Sequence, residues 1–133
     1  LYMICTLSKH EAERQGYSES LMLDHEGNVA ESTSANIFFK DSGGDLHTPI
    51  PDCFLDGITR RTVIEIAKSK NIKVHERKIL PEELKNFVGC FLTGTAAEIT
   101  PVSKIAENNY KVCDLIIDLS SSYGKLVRKK KAA

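Results

Sequence analysis

Glu31-Ser32-Thr33-Ser34-Ala35-Asn36-Ile37-Phe38 is the stretch whose reading decides the fold. It joins two strand-like runs through a short polar bend. Upstream, Leu21-Met22-Leu23-Asp24 reads as a strand and His25-Glu26-Gly27-Asn28 as a turn. Val29-Ala30-Glu31 is then the return strand. Downstream, Asn36 to Lys40 is rich in Ile and Phe, residues that suit a pleated, half-buried surface. Asp41-Ser42-Gly43-Gly44-Asp45 turns the chain again, into a strand around Leu46-His47-Thr48. Strand, turn and strand at this rhythm predict an antiparallel meander.

Helical spacing appears on either side of this core. The opening stretch to about Gly16 reads as a helix, with Met3, Ile4 and Leu7 on one side and Gly16 as its C-cap. Gly57 precedes a second helix, in which Ile58, Val63, Ile66 and Ala67 recur near helical spacing and Lys68, Lys70 and Asn71 close the end. Ile72 to Ile79 alternates as a strand. Pro81, followed by Glu82 and Glu83, marks a first helical turn with the expected charge sign. Cys90-Phe91-Leu92-Thr93 and Glu98 to Ile105 read as strands flanking a Gly-Thr turn. A last helix begins after Asp114, with Leu115, Ile116, Leu119, Leu126 and Val127 as its apolar face. The expected fold is α/β of the α+β kind: one domain over residues 1–133, with a mixed, mainly antiparallel sheet and flanking helices.

The bulk composition narrows the class. With 133 residues the chain is long enough for one core. Its 18 basic side chains balance 18 acidic ones, so nothing steers it toward nucleic acid. The basic run Arg128 to Lys131 lacks interleaved aromatics and reads as solvated charge at a helix C-terminus. No apolar run is long enough to span a membrane, and no basic region followed by an apolar stretch marks a secretory signal. Cys5, Cys53, Cys90 and Cys113 are widely spaced and read as reduced thiols in a cytoplasmic protein. No two of them share ligand spacing with a histidine, so no metal site is expected. His10, His25, His47 and His75 read as surface or turn residues.

Several polar residues sit where chemistry is possible. Glu31 ends a strand just before the bend and, taken alone, is a solvated side chain. Asn36 can hold that bend through side-chain to backbone hydrogen bonds. Gly57 opens a helix, whose N-terminus offers free N–H groups and a dipole favourable to anions. Thr59 there is either an anion ligand or a plain capping residue. Arg60 is a phosphate ligand or an outside support of the helix. Leu55 is ordinary core, and Thr93-Gly94-Thr95-Ala96-Ala97 is a turn of small residues that lets a ligand approach the backbone.

Taken together, three segments in this order resemble the branched-chain amino-acid aminotransferase family, a fold-type-IV group dependent on pyridoxal 5'-phosphate (PLP). They are Glu31 to Phe38, Leu55-Asp56-Gly57-Ile58-Thr59-Arg60, and Thr93-Gly94-Thr95-Ala96-Ala97-Glu98-Ile99-Thr100-Pro101-Val102. The resemblance runs from Leu1 to about Ile105 and implies a set of cofactor contacts. Glu31 partners the pyridine nitrogen. Leu55 packs on the ring. Backbone N–H groups of Ile58 and Thr59, with the Thr59 hydroxyl, bind phosphate. Gly94 and Thr95 complete the phosphate cradle, and the N–H groups of Thr95 and Ala96 face the substrate carboxylate. Tyr2 stands where the family's tyrosine reaches the ring hydroxyl oxygen. The bend Ser32-Thr33-Ser34-Ala35-Asn36 is closer to D-amino-acid aminotransferases of the same fold, and the Thr-Gly-Thr-Ala-Ala-Glu-Ile-Thr-Pro-Val string to branched-chain enzymes. The final helix matches less well: Cys113-Asp114-Leu115 stands where branched-chain enzymes commonly carry Gly-Pro.

The family's PLP-binding lysine is expected upstream of Leu1, which leaves no catalytic residue within the chain itself. The family's small N-terminal domain, which supplies a phosphate-binding arginine, is expected to be absent too. The expected parent activity transfers an amino group between a branched-chain amino acid and 2-oxoglutarate in a homodimer or larger homo-oligomer, with this chain alone inactive. The alternatives are a D-amino-acid aminotransferase and a non-catalytic remnant acting as a binding or oligomerisation module.

Overall fold

The computed structural model describes Arg14 and residues 20–32, 35–51, 56–96 and 98–132, with residues 130–132 described by backbone alone. Apart from Arg14, the expected opening helix lies outside these residues, as do Tyr2, Cys5, His10, Cys53 and Leu55.

Strand β3 (Asn36–Lys40) is central, and its run of large apolar side chains feeds cores on both of its faces. It pairs antiparallel with β4 (Leu46–Thr48) on one side and β6 (Gly89–Gly94) on the other. β5 (Val74–Glu76) adds in parallel to β4, and β7 (Glu98–Pro101) antiparallel to β6, giving the order β5-β4-β3-β6-β7. Alternation along β3 and β6 sorts the side chains. Ile37, Phe39, Cys90 and Leu92 pack toward Val29, Ile79, Leu84, Phe87 and Tyr110. Phe38 and Phe91 point the other way and stack at 5.0 Å over Val63, Ile64 and Ala67 of helix α1 (Ile58–Ser69) and Ile116 and Leu119 of helix α2 (Asp114–Ala132). Burying each such ring contributes about 1.5–3 kcal/mol.

The expected meander divides. β1 (Leu21–Leu23) and β2 (Val29–Ser32) form their own two-stranded antiparallel sheet. β3 already has β4 and β6 as neighbours, so β2 has no edge to join. Instead its Val29 N–H donates to the carbonyl of Ile79. The expected strand from Ile72 to Ile79 shortens to β5 for a related reason. β4 is short, Arg77 N–H takes the Thr48 carbonyl at its end, and the chain then crosses to meet β2. The expected strand from Glu98 to Ile105 breaks at Pro101, which has no N–H to continue a ladder. A small hairpin follows, β8 (Lys104–Ile105) with β9 (Asn108–Asn109), and Ala106 at φ 51° makes its turn. Pro81–Asn86 forms a 3-10 helix, whose first turn holds the Glu83 carboxylate against the Leu80 N–H at 2.8 Å.

Candidate active site

Three chain segments meet at the Asn36 end of β3. The register sets Asn36 opposite Thr93, and Thr93 opposite Ile99, so the start of β3 and the β6–β7 turn are neighbours. The Asn36 amide oxygen then accepts the Gly57 N–H at 3.1 Å, which ties in the start of α1. Only glycine fits there undisturbed: a Cβ on residue 57 would lie 2.7 Å from Asn36 Oδ1. One side chain therefore joins the last residue before α1 to the sheet.

The first turn of α1 is bare. Gly57 is extended (φ −66°, ψ 149°), no side chain among the described residues caps the helix, and no acidic residue lies in its first turn. Asp56, the nearest carboxylate in sequence, is turned onto Arg60 at 2.9 Å and Arg61 at 3.8 Å. The N–H groups of Ile58 and Thr59 point out of the helix start with no intrahelical acceptor. Ile58 was expected on the apolar face of this helix. Its side chain is 76% exposed, and the buried face is Thr59, Arg60, Val63, Ile64 and Ala67. The buried Thr59 hydroxyl lies 3.2 Å from the Tyr123 hydroxyl of α2.

Arg60 does not point at this array. It is 1% exposed, and its guanidinium donates to Asp56 Oδ1 at 2.9 Å, Glu76 Oε1 at 2.9 Å and the Pro49 carbonyl at 3.0 Å. It is a clamp between α1, β5 and the chain after β4, which answers the question its sequence position left open.

Across the corner, Gly94 is half-buried and Thr95 and Ala96 are exposed at the β6–β7 turn. Glu98 closes the turn in the left-handed region (φ 49°), where non-glycine residues are uncommon. Beneath it, Thr93 is 1% exposed and its Oγ1 has no hydrogen-bond partner among the described residues. The alternation that sends Phe91 toward α1 places Thr93 on that same face.

Glu31 lies in β2 opposite Met22, immediately before the bend. Ser32 supports that bend: its N–H donates to the Ala35 carbonyl at 2.9 Å, and its hydroxyl accepts the Ala35 N–H at 3.1 Å. Burial pushes the Glu31 carboxyl above its ordinary range, and no ion pair among the described residues offsets this. A desolvated carboxylate of this kind suits a cationic partner.

Of the histidines of β4 and β5, His75 is exposed as expected, whereas His47 is not a surface group. His47 is largely enclosed; its Nδ1 accepts from Arg77 Nε at 3.1 Å and its Nε2 donates to Asp41 Oδ2 at 2.7 Å. His75 stacks on it at 4.7 Å and meets Asp45 Oδ2 at 2.9 Å. The alternation of Leu46-His47-Thr48 in so short a strand does not reveal that enclosure.

A profile of the class IV amino-transferases matches residues 1–105. The chain belongs to that family. A probable branched-chain-amino-acid aminotransferase of Rickettsia bellii is 44% identical over 135 residues, covering 96% of this chain and 45% of that protein. The chain therefore spans less than half the length of that relative. Among solved structures, the branched-chain aminotransferase of Thermoproteus uzoniensis with norvaline superposes at a TM-score of 0.90, with 38% identity over 95% of this chain and 42% of that one. An aminotransferase from Brucella abortus bound to PLP superposes at 0.89, with 28% identity over 95% of this chain and 45% of that one. Class IV aminotransferases depend on PLP; an uncapped helix start suits a phosphate and a half-buried carboxylate suits a cation, and this chain carries the first at α1 and the second at Glu31 of β2. The burial of the Thr93 hydroxyl and the contact of Tyr123 with Thr59 were not visible in the sequence. Thr93 reads as one more strand residue, and Tyr123 lies beyond the stretch that the family profile matches.

Proposed function

We propose that this chain forms the cofactor floor of a branched-chain aminotransferase that moves an amino group between a branched-chain amino acid and 2-oxoglutarate. The observation that carries the reading is the Asn36 corner, where β3, the bare start of α1 and the β6–β7 turn are bound together. PLP, when bound, supplies an electron sink for the pair released at the substrate Cα. The roles assigned to the chain's residues are those that the family resemblance implies. Glu31 holds a proton on the pyridine nitrogen. The N–H groups of Ile58 and Thr59 and the hydroxyls of Thr59 and Thr95 receive the phosphate, with Gly94 leaving room for it. The N–H groups of Thr95 and Ala96 take the substrate carboxylate. Tyr2 is assigned to the ring oxygen and Leu55 to the ring face, on sequence position alone. A D-amino-acid enzyme would use the same floor; relatives named for branched-chain substrates favour the reading given.

We further propose that the chain acts as the C-terminal part of a longer, homo-oligomeric enzyme in the cytoplasm, where its free Cys90 and Cys113 thiols are at home. These 133 residues alone are not expected to transaminate. The step needs a lysine at the substrate Cα, and the family resemblance assigns that role to no lysine of these residues. Assaying this chain and the complete natural polypeptide with PLP, leucine and 2-oxoglutarate tests both statements. Turnover by the complete polypeptide and none by this chain is the expected result. Product from this chain above the level given by free PLP overturns the second statement, and failure of the complete polypeptide to transaminate overturns the first.

A further inference from the structure

Tyr123 makes a contact that the assigned site does not explain. It stands on α2, beyond the residues matched by the family profile, and its hydroxyl lies 3.2 Å from Thr59 Oγ1 in the first turn of α1. Its ring packs against the cluster that holds Phe91, Val63 and Leu119, so the hydroxyl is delivered from a fixed base.

A threonine hydroxyl has one proton and two lone pairs. If Tyr123 donates to Thr59 Oγ1, it occupies a lone pair and leaves the threonine proton to point out of the helix start. The reverse polarity spends the threonine proton on Tyr123 and presents a lone pair to whatever binds there. An anion at the bare N-terminus selects the first arrangement, because only that one offers it a donor. Charge-assisted hydrogen bonds of that kind are the stronger ones.

We propose that Tyr123 is a positioning residue for the cofactor phosphate: it donates to Thr59 and aims the threonine proton at a phosphate oxygen. The inference rests on the reading of the α1 start as the phosphate site. It makes the C-terminal helix part of the binding apparatus instead of a cover for the sheet.

The test uses the complete natural polypeptide, freed of cofactor. Dissociation constants for PLP and for pyridoxal, which lacks the phosphate, are measured by absorbance titration for the wild type, Tyr123→Phe, Thr59→Val and the double variant. Tyr123→Phe should weaken PLP about threefold to tenfold, the range of one ordinary hydrogen bond, and leave pyridoxal unchanged. In the Thr59→Val background it should cost nothing more, because the hydroxyl it aims is gone. In a Thr59→Ser background, which keeps a hydroxyl, the loss should persist. Phenylalanine keeps the packed ring, and a matching thermal midpoint checks that the fold is intact. Equal loss for both ligands, no loss for PLP, or the same loss without the Thr59 hydroxyl overturns the proposal. If the wild type binds pyridoxal as tightly as PLP, the phosphate reading falls and the inference goes with it.

Discussion

Asn36 and Thr93 face each other across β3 and β6, yet only Asn36 bonds to the helix above them. Its amide oxygen takes the Gly57 N–H, while the Thr93 hydroxyl, equally buried, has no partner among the described residues. A buried hydroxyl without a partner costs about 1–3 kcal/mol. Thr93→Val replaces it with a methyl of nearly the same shape. The expected result is a chain more stable by about 1 kcal/mol without cofactor, seen as a raised thermal midpoint. A lowered midpoint would show that the hydroxyl is satisfied.

Gly57 carries the other half of that relationship. An added Cβ would lie 2.7 Å from Asn36 Oδ1. The amide must swing away and the Gly57 N–H loses its acceptor. Gly57→Ala should therefore destabilise the protein by about 1–2 kcal/mol in urea unfolding, although the Gly57 backbone angles suit alanine. It should also weaken PLP binding, because the start of α1 is no longer held to β3. Intact stability together with intact affinity would mean that the Asn36 link is dispensable.

Glu31 and Glu83 should respond to pH with opposite signs. Burial raises the Glu31 pKa above 4.5, so the folded state holds that proton more tightly than the unfolded chain. Stability without cofactor is then lost as pH rises from about 4.5 through the raised value. Glu31→Gln removes this loss. It should stabilise the cofactor-free protein at neutral pH by less than about 1 kcal/mol, after allowance for solvent screening, and make no difference at low pH. The Arg77 hydrogen bond, working against desolvation, holds Glu83 below 4.5. Its contribution is present above 4.5 and is lost as pH falls through the lowered value. Glu83→Gln should therefore destabilise at neutral pH and converge with the wild type in acid. Thermal midpoints between about pH 3 and pH 8 separate the two patterns.

Local pattern made most of the secondary structure legible. The Asn36-Ile37-Phe38-Phe39 run, the turn at Asp41 and the helix opened by Gly57 all lie where the sequence places them. What it could not give is which strand edges are taken. β2 was read as a neighbour of β3, but β6, far along the chain, holds that place because it offers Phe91 to stack on Phe38. The same limit applies at the site. Family motifs pointed to Thr59 and Thr95, whereas the Thr59–Tyr123 contact becomes visible only when helix packing brings α2 against the start of α1. Arg60 sits inside a motif, and no sequence rule tells which way its side chain turns.

Arg60 turns inward, and that direction can be measured. Its three donor contacts join Asp56, Glu76 and the Pro49 carbonyl at 2.9–3.0 Å, and its Nε is buried with no partner among the described residues. Asp56 and Glu76 remain partly exposed and can be rehydrated if the arginine is lost; the buried Pro49 carbonyl cannot. Arg60→Met should therefore cost about 2–4 kcal/mol of stability. Arg60→Lys keeps the charge but has no planar fork to serve three acceptors, so it should recover only part of this. Neither change should alter the ratio of pyridoxal to PLP dissociation constants, because the guanidinium does not face the α1 start. A collapse of that ratio at temperatures where the variants remain folded would return Arg60 to the phosphate site.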